Sequence, residues 1–473
     1  MYKLFYIFPA LFFFLPARTQ SVQKTFWALN GSASAFTWDN TTGNNRIDNG
    51  NGTWNTTNQT WTFNKGITDL LWRSGATAIF GGNPGTGVPG TVTVTGTQTV
   101  QSLVFNPAAS GNFTLTGGTI INTSGLITAN DSASINCTLA GSSGLTLMGT
   151  GVVTLNVATT YTGTTTVNSG TLELSNGIAN STVVTLSTPI FIHSGATLSG
   201  DISGNINLSG AISGPGTMNL VDAGSQTLRL YGNNSGFTGN FSEPATTRGM
   251  MWSDGQAPAN AANTGSASAS WDISGTFGFI ETAGAATPTV QLGSLSGSTS
   301  TATLGGFGGS GLKTFQVGAL NTNSSFSGEI QDNPQATGTP TIAFTKVGTG
   351  TLTLSGTNTY SGLTTVNAGA LAFTTAVPSS ATWNIAVNAT STPTSAGSGL
   401  ITVPSSPNMS GKTVNIVLTG TSTGFTWQAV SWTGTSFFGA PTLKINGTTV
   451  TSGVASAGTT VTFTTTSGIK VTR

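Results

Sequence analysis

GTGVVTLNVATTYTGTTTVNSGTLEL at residues 149–174 and GTGTLTLSGTNTYSGLTTVNAGALAF at residues 348–373 are two ungapped copies of one 26-residue unit, identical at 14 positions. Each copy holds three short alternating stretches ended by turns that contain Gly or Asn. Leu352 and Leu354 fall on one face of a strand, Thr351 and Thr353 on the other. Asn367-Ala368-Gly369 is a turn in which Asn or Gly takes positive φ, after which Leu371 and Phe373 face inward again. A looser third copy covers residues 227–242. There TLRLYGNN (Thr227–Asn234) follows TLTLSGTN (Thr351–Asn358), and after an insertion at Gly236, Phe237-Thr238-Gly239 takes the place of Tyr360-Ser361-Gly362. The series Tyr161, Phe237, Tyr360 predicts one aromatic per unit, stacked along the core.

Strand and corner alternating at about 20–30 residues per turn is the pattern of a β-solenoid, whose units bury their apolar faces only by stacking. With rungs about 4.8 Å apart, about 18 rungs would build a rod roughly 85 Å long. The competing fold is an array of β-sandwiches, which antiparallel pairing throughout would favour.

Composition agrees with strands covered by neutral polar groups. Of 473 residues, 65 are Gly and only 6% are charged, against about 25% in an ordinary soluble domain. The net charge of +1 argues against nucleic acid or an anionic membrane face as partner. Hydrophobic residues make up 37% and alternate with Thr, Ser and Asn, so the pattern is strand and not disordered tail. Thr suits an exposed strand face and stands in for Lys and Glu as surface material. Cys137 is the only cysteine, so no intrachain disulfide forms. With no His, Lys or Arg nearby in sequence it reads as a buried, inert thiol rather than a reactive one.

Residues 1–19 have the form of a secretory signal: Lys3, an apolar run from Leu4 to Leu15, and the small-residue site Ala17-Arg18-Thr19. The alternative is an uncleaved anchor, against which the run is short of the roughly 20 apolar residues a span needs. Residues 20–90 form a Trp-rich start with Trp27, Trp38, Trp54, Trp61 and Trp72, half of the 10 tryptophans. Residues 91–376 read as the solenoid proper. Residues 243–285 are its least regular part, and residues 377–473 read as a C-terminal β region closing in antiparallel strands.

The second copy of the unit closely resembles the autotransporter-associated β-strand repeat. The lead-in TFQVGALNTNSSFSGEI (Thr314–Ile330) is similar to the spacer that precedes such repeats, and the Trp-rich start from TWDN to GATAIFGG resembles their leader. The resemblance implies an all-β, right-handed parallel β-helix, exported and set at the cell surface, at the outer membrane or in extracellular material. Its role would be structural or adhesive, with surface glycans or other surface proteins as partners and no cofactor. One departure stands out. The end SGIKVTR lacks an aromatic last residue, and no array of roughly 10-residue lipid-facing strands precedes it, so self-anchoring through a translocator barrel is not expected.

Chemistry is sparse. Catalysis on such a fold needs clustered carboxylates, often with Ca²⁺, and a basic side chain. Between Ser74 and Leu172 the only charged residue is Asp131, and between Val347 and Gly411 there is none. The enzyme alternative, a polysaccharide-degrading protein, therefore rests on Arg248, Asp254, Asp272 and Glu281 in the 243–285 insertion, whose spacing matches no catalytic or metal pattern. Glu329 and Asp332 read as turn residues, and His193, without an acidic companion, as a packed or surface side chain. No catalytic, cofactor or metal residue is assigned. One binding alternative remains: Trp54 and Trp61, seven apart in GTWNTTNQTWTF, would either form a glycan-stacking platform or cap the open end of the helix, whose strand edges otherwise pair with other chains.

Overall fold

The computed structural model describes residues 34–473 except 42, 83–87, 109, 158, 176–182, 202–204, 222–226, 247–248, 254–264, 283–286, 376–377, 379, 381, 390–397, 405–407, 433–438, 457 and 465–466. The signal-like segment 1–19 and Trp27 lie outside these residues. Every regular element described is a β-strand, and none is a helix long and apolar enough to cross a membrane.

The chain is a parallel β-helix. Among the described residues antiparallel pairing is confined to the two ends: Trp38 against Trp61 at the first, and pairs involving residues 426–472 at the second. Between them strand lies on strand in parallel register, which removes the sandwich array.

The two copies of the unit show how sequence becomes rung. In the first, Val152–Leu155 stacks on Thr171–Leu174, with Val152 opposite Thr171. In the second, Thr351–Leu354 stacks on Gly369–Phe373, with Thr351 opposite Ala370. One turn thus takes 19 residues in both, since 171 − 152 and 370 − 351 are equal. The middle strand reaches back to a strand just before the unit. Thr165–Val167 lies on Leu145–Leu147 and Thr364–Val366 on Phe344–Lys346. Apolar side chains therefore fall in register inside the coil, and Leu352, Leu354, Leu371, Tyr360 and Val366 belong to one continuous core.

The identical residues have packing reasons. The ring of Tyr161 meets Thr165 through a hydroxyl–hydroxyl hydrogen bond of 2.8 Å; Tyr360 meets Thr364 at 2.9 Å. In the third copy Phe237 has Phe241 four residues on, both buried, so donor and acceptor vanish together and no polar atom is stranded. The three aromatics do line the core. Their ring neighbours, however, are Phe344 for Tyr360 and Trp271 for Phe237, because each unit is separated from the next by rungs of other sequence. The first glycine of the unit lets one corner sit on the corner below. A Cβ on Gly149 would lie 2.1 Å from the Ala129 carbonyl oxygen, and one on Gly348 2.0 Å from that of Gly318.

Burial raises the phenol pKa of both Tyr161 and Tyr360, against the weaker opposing pull of their threonine partners. The folded phenols stay protonated where unfolded tyrosine ionises, near pH 10. Their contribution is therefore complete below about pH 10 and is lost as the pH rises above it. Each phenol should remove about 1.4 kcal/mol of stability per pH unit in that range. Urea unfolding at pH 9.5 and 11 should show Tyr360→Phe losing less over this interval than the parent chain. An equal loss would mean that the phenol is not held neutral. Comparison with the variant is needed because Lys346, which burial lowers to about 8, makes the opposite contribution between about pH 8 and 10.5.

Lys346 marks a place where the pattern misleads. It stands between Val317 and Val366 in an inward column, where the first copy has Leu147. Its ammonium group donates to the carbonyls of Val347 at 2.6 Å, Gly348 at 2.8 Å and Ala368 at 3.4 Å. Lys313 likewise reaches the carbonyls of Ile280, Phe307 and Gly308, and Lys412 those of Pro378 and Ser380. Each of these ammonium groups is thus held by two or three backbone carbonyls, which compensates its burial.

Parallel stacking continues beyond residue 377. Thr382–Asn388 carries Thr413–Thr419 in parallel, which carries Thr442–Ile445. Gly399–Val403 carries Thr426–Trp432. The strands described within the Pro/Ser/Thr-rich stretch, Thr382–Asn388 and Gly399–Val403, thus belong to rungs. Antiparallel closure is made by Thr448–Val450, Ala455–Ser456, Thr459–Thr464 and Gly468–Thr472, the last folding back onto Thr426–Trp432.

Candidate functional site

The tryptophans of the first rungs point inward. Ala35–Trp38 lies parallel on Ala76–Phe80, which lies on the long strand Thr91–Phe105, as Gly52–Trp54 also does. This places Trp38, Trp54 and Trp61 inside, each with no exposed surface. The Trp54 and Trp61 rings meet edge-to-face at 4.9 Å. Trp72 lies 4.9 Å from Trp54 and 4.7 Å from Trp61. Neither Trp54 nor Trp61 offers a ring face to a sugar, which overturns the stacking-platform reading. Seven residues of separation with a turn between them aim both at the core, where they fill the end of the coil.

Beside this cluster Asp39 is also fully buried. Its Oδ1 accepts the Asp48 amide at 3.1 Å. Burial pushes its pKa up to about 6, and the charges of Asp69 and Asp48 add to this against the Asp48 hydrogen bond.

Among the described residues the insertion brings no acid–base centre together. Arg248 and Asp254 lie outside the described residues. Asp272 stands in Ser266–Ile273, a strand of the largest sheet, and accepts the Ser274 hydroxyl at 2.7 Å. Glu281 stands in Phe277–Glu281 of another sheet and is held by Arg229 at 3.2 Å. Around Glu281 the outer face is aromatic. Phe277 and Phe279 stack at 4.4 Å, Phe307 continues the stack at 6.3 Å, and Met251 joins them in a small cluster apart from the main core.

The remaining singled-out residues have local roles. Asp332 accepts the amides of Ile342 at 2.8 Å and Ser361 at 3.1 Å and the Ser361 hydroxyl at 2.7 Å, tying two corners together. Glu329 accepts the Gln331 amide. His193 is exposed and meets the Phe191 ring edge-on at 4.7 Å. Cys137 is buried, and burial pushes its thiol up to about 12, so it carries no thiolate at neutral pH.

What the register does assemble is a set of polar columns on the outside of the coil. Gln291, Gln316, Thr345, Thr365, Asn384, Asn415 and Lys444 follow one another across successive strands. Side-chain bonds bind parts of this column, with Gln291 donating to Gln316 at 2.9 Å and Asn415 to Asn384 at 3.1 Å. A second column runs Thr154, Glu173, Ser199, Asn219, Ser242, Asp272 and Ser296. Glu173 and Asp201, 28 residues apart in sequence, become neighbours on adjacent rungs. This pair was missed in the sequence because rung length varies from turn to turn, so no fixed spacing announces it. Among the described residues no three His, Cys, Asp or Glu side chains gather as a metal-holding group.

The class is that of repeat-built parallel β-helices with an apolar interior and a neutral polar exterior. Within it, residues 145–174 and 344–373 match the family model described as passenger-associated-transport-repeat. Both matches begin at the strands, Leu145 and Phe344, on which the middle strand of the unit rests. A stretch of 150 residues, 31% of this chain, is 33% identical to part of a protein of Brucella suis biovar 1 (strain 1330) named "Adhesin BmaC autotransporter". The matched stretch spans about 4% of that relative's length. No solved structure matches the chain. In these two stretches the chain is similar to the passenger-associated-transport-repeat, and over part of its length to a protein named as an autotransporter adhesin.

Proposed function

We propose that this chain is an exported, non-enzymatic β-helix whose outer columns serve adhesion or structural contact at the cell surface, with glycans or other surface proteins as partners. The observation that carries this reading is the long outer column of amide and hydroxyl groups from Gln291 to Asn415, held in regular register. Such an array offers many weak hydrogen bonds at a spacing of about 4.8 Å and no concentrated charge. Affinity would come from repetition, as in other multivalent contacts. The relative named as an adhesin supports the same reading.

The test is fractionation of producing cells with a tag on the C-terminus, followed by adhesion of beads coated with the purified chain. The tagged chain is expected in the surface or medium fraction. Coated beads should be retained on cells or polysaccharide several-fold above beads carrying a non-adhesive protein. A cytoplasmic location, equal retention, or depolymerisation of the polysaccharide during the assay would each overturn the proposal.

A further inference from the structure

On the outer face of the rungs between Thr154 and Val221, the polar columns change character. Leu198 lies in the core and a Cβ on Gly200 would meet the side chains of Leu220 and Ile206, so Thr197, Ser199 and Asp201 of the same strand point outward. Register places Ser199 between Glu173 on one side and Asn219 on the other. Leu174 lies opposite Gly200, which brings Ser175 level with Asp201. Two columns, Thr154–Glu173–Ser199–Asn219 and Ser175–Asp201, thus stand side by side, with neighbours about 4.8 Å apart along a column and about 6.6 Å between columns.

Each carboxylate accepts a hydroxyl from the preceding rung. Thr154 donates to Glu173 Oε1 at 3.0 Å, and Ser175 donates to Asp201 Oδ2 at 2.6 Å. Burial raises the pKa of Glu173 and the charge of Asp201 raises it further, against the Thr154 hydrogen bond. Between the two acids lies an independent anomaly. Ser199 is only 2% exposed although it faces outward, and its hydroxyl has no hydrogen-bond partner. The Oδ1 atom of Asn219, next in the column, is likewise buried without a partner. Buried polar atoms are nearly always satisfied, so two adjacent orphans beside a like-charged pair indicate an absent ligand.

We propose that Glu173, Asp201, Ser199 and Asn219 form a site for a hard divalent cation of the calcium type on the outer face of the β-helix. All four donors are oxygens, as Ca²⁺ requires, and water completes its six to eight ligands. The ion would neutralise the carboxylate pair, occupy both orphans and bridge three successive strands, Thr171–Leu174, Thr197–Asp201 and Thr217–Val221. Its affinity would be that of an extracellular module, roughly 0.1–1 mM.

The experiment is isothermal titration of CaCl₂ into the chelator-treated full chain, paired with thermal unfolding with and without about 5 mM CaCl₂. The expected result is one site per chain and a rise of a few degrees in the unfolding midpoint. The double variant Glu173→Gln, Asp201→Asn should lose at least tenfold in affinity and lose the thermal rise, while keeping the parent's circular dichroism without calcium. Ser199→Ala, which removes one donor and no charge, should weaken binding several-fold and serves if the double variant fails to fold. Absence of binding heat up to about 10 mM, or unchanged affinity in both variants, would overturn the site.

Discussion

Trp61→Ala should unfold the N-terminal end of the helix at denaturant concentrations that leave the rest of the coil intact. The Trp61 side chain is fully buried and touches Trp38 at 5.3 Å, Trp54 at 4.9 Å, Trp72 at 4.7 Å and Phe80 at 5.6 Å. It also sits on the short antiparallel strand that closes the first rung. Removing so large a side chain leaves a cavity and costs about 3–5 kcal/mol. In a stacked array such a loss falls on the affected rung and its neighbour rather than on the whole molecule. Urea unfolding followed by tryptophan fluorescence, with limited proteolysis to locate the cleavage before residue 91, would read it. Trp61→Phe should cost far less, because the Trp61 indole nitrogen has no hydrogen-bond partner to lose. If Trp61→Ala left the unfolding curve unchanged, the end would not be held by this cluster.

The second large effect is expected at a corner. Gly348 has φ of +70°, and an added Cβ would lie 2.0 Å from the Gly318 carbonyl oxygen of the corner below. Gly447 has φ of +84° but nothing within 4 Å of an added Cβ. Alanine at either position meets the backbone strain of positive φ, about 1–2 kcal/mol. Only at Gly348 must two rungs also move apart, which adds roughly 1–3 kcal/mol, the range of overpacked cores. Gly348→Ala should therefore destabilise distinctly more than Gly447→Ala in urea unfolding. Hydrogen exchange should quicken at residues 314–373 in the first variant alone. Equal costs would show that strain, and not the stacking of corners, is why the unit begins with glycine.

The repeat was readable because its constraints are local and periodic. Leu352 and Leu354 alternate with Thr351 and Thr353, and the corner glycines recur at matching places in both copies. That pattern states which side is inside and where the chain turns. The same reading is less informative after residue 377, where a Pro/Ser/Thr-rich stretch interrupts the alternation while parallel stacking runs on through Thr413–Thr419 to Thr442–Ile445. It also left Trp54 and Trp61 open between two roles, since a Trp beside Asn and Thr looks alike whether its ring faces sugar or core.

From the sequence alone came the strand-and-corner unit, the apolar interior and the neutral exterior, because alternation and turn chemistry act over a few residues. Which residues meet across rungs was decided only by the folded coil. Lys346 lies inward among valines because backbone carbonyls are there to receive its charge. Glu173 lies beside Asp201, with Ser199 buried between its column neighbours, because turn lengths that differ by several residues set the register. Contacts of that kind depend on the sum of every insertion and corner along the path, which no short stretch of sequence contains.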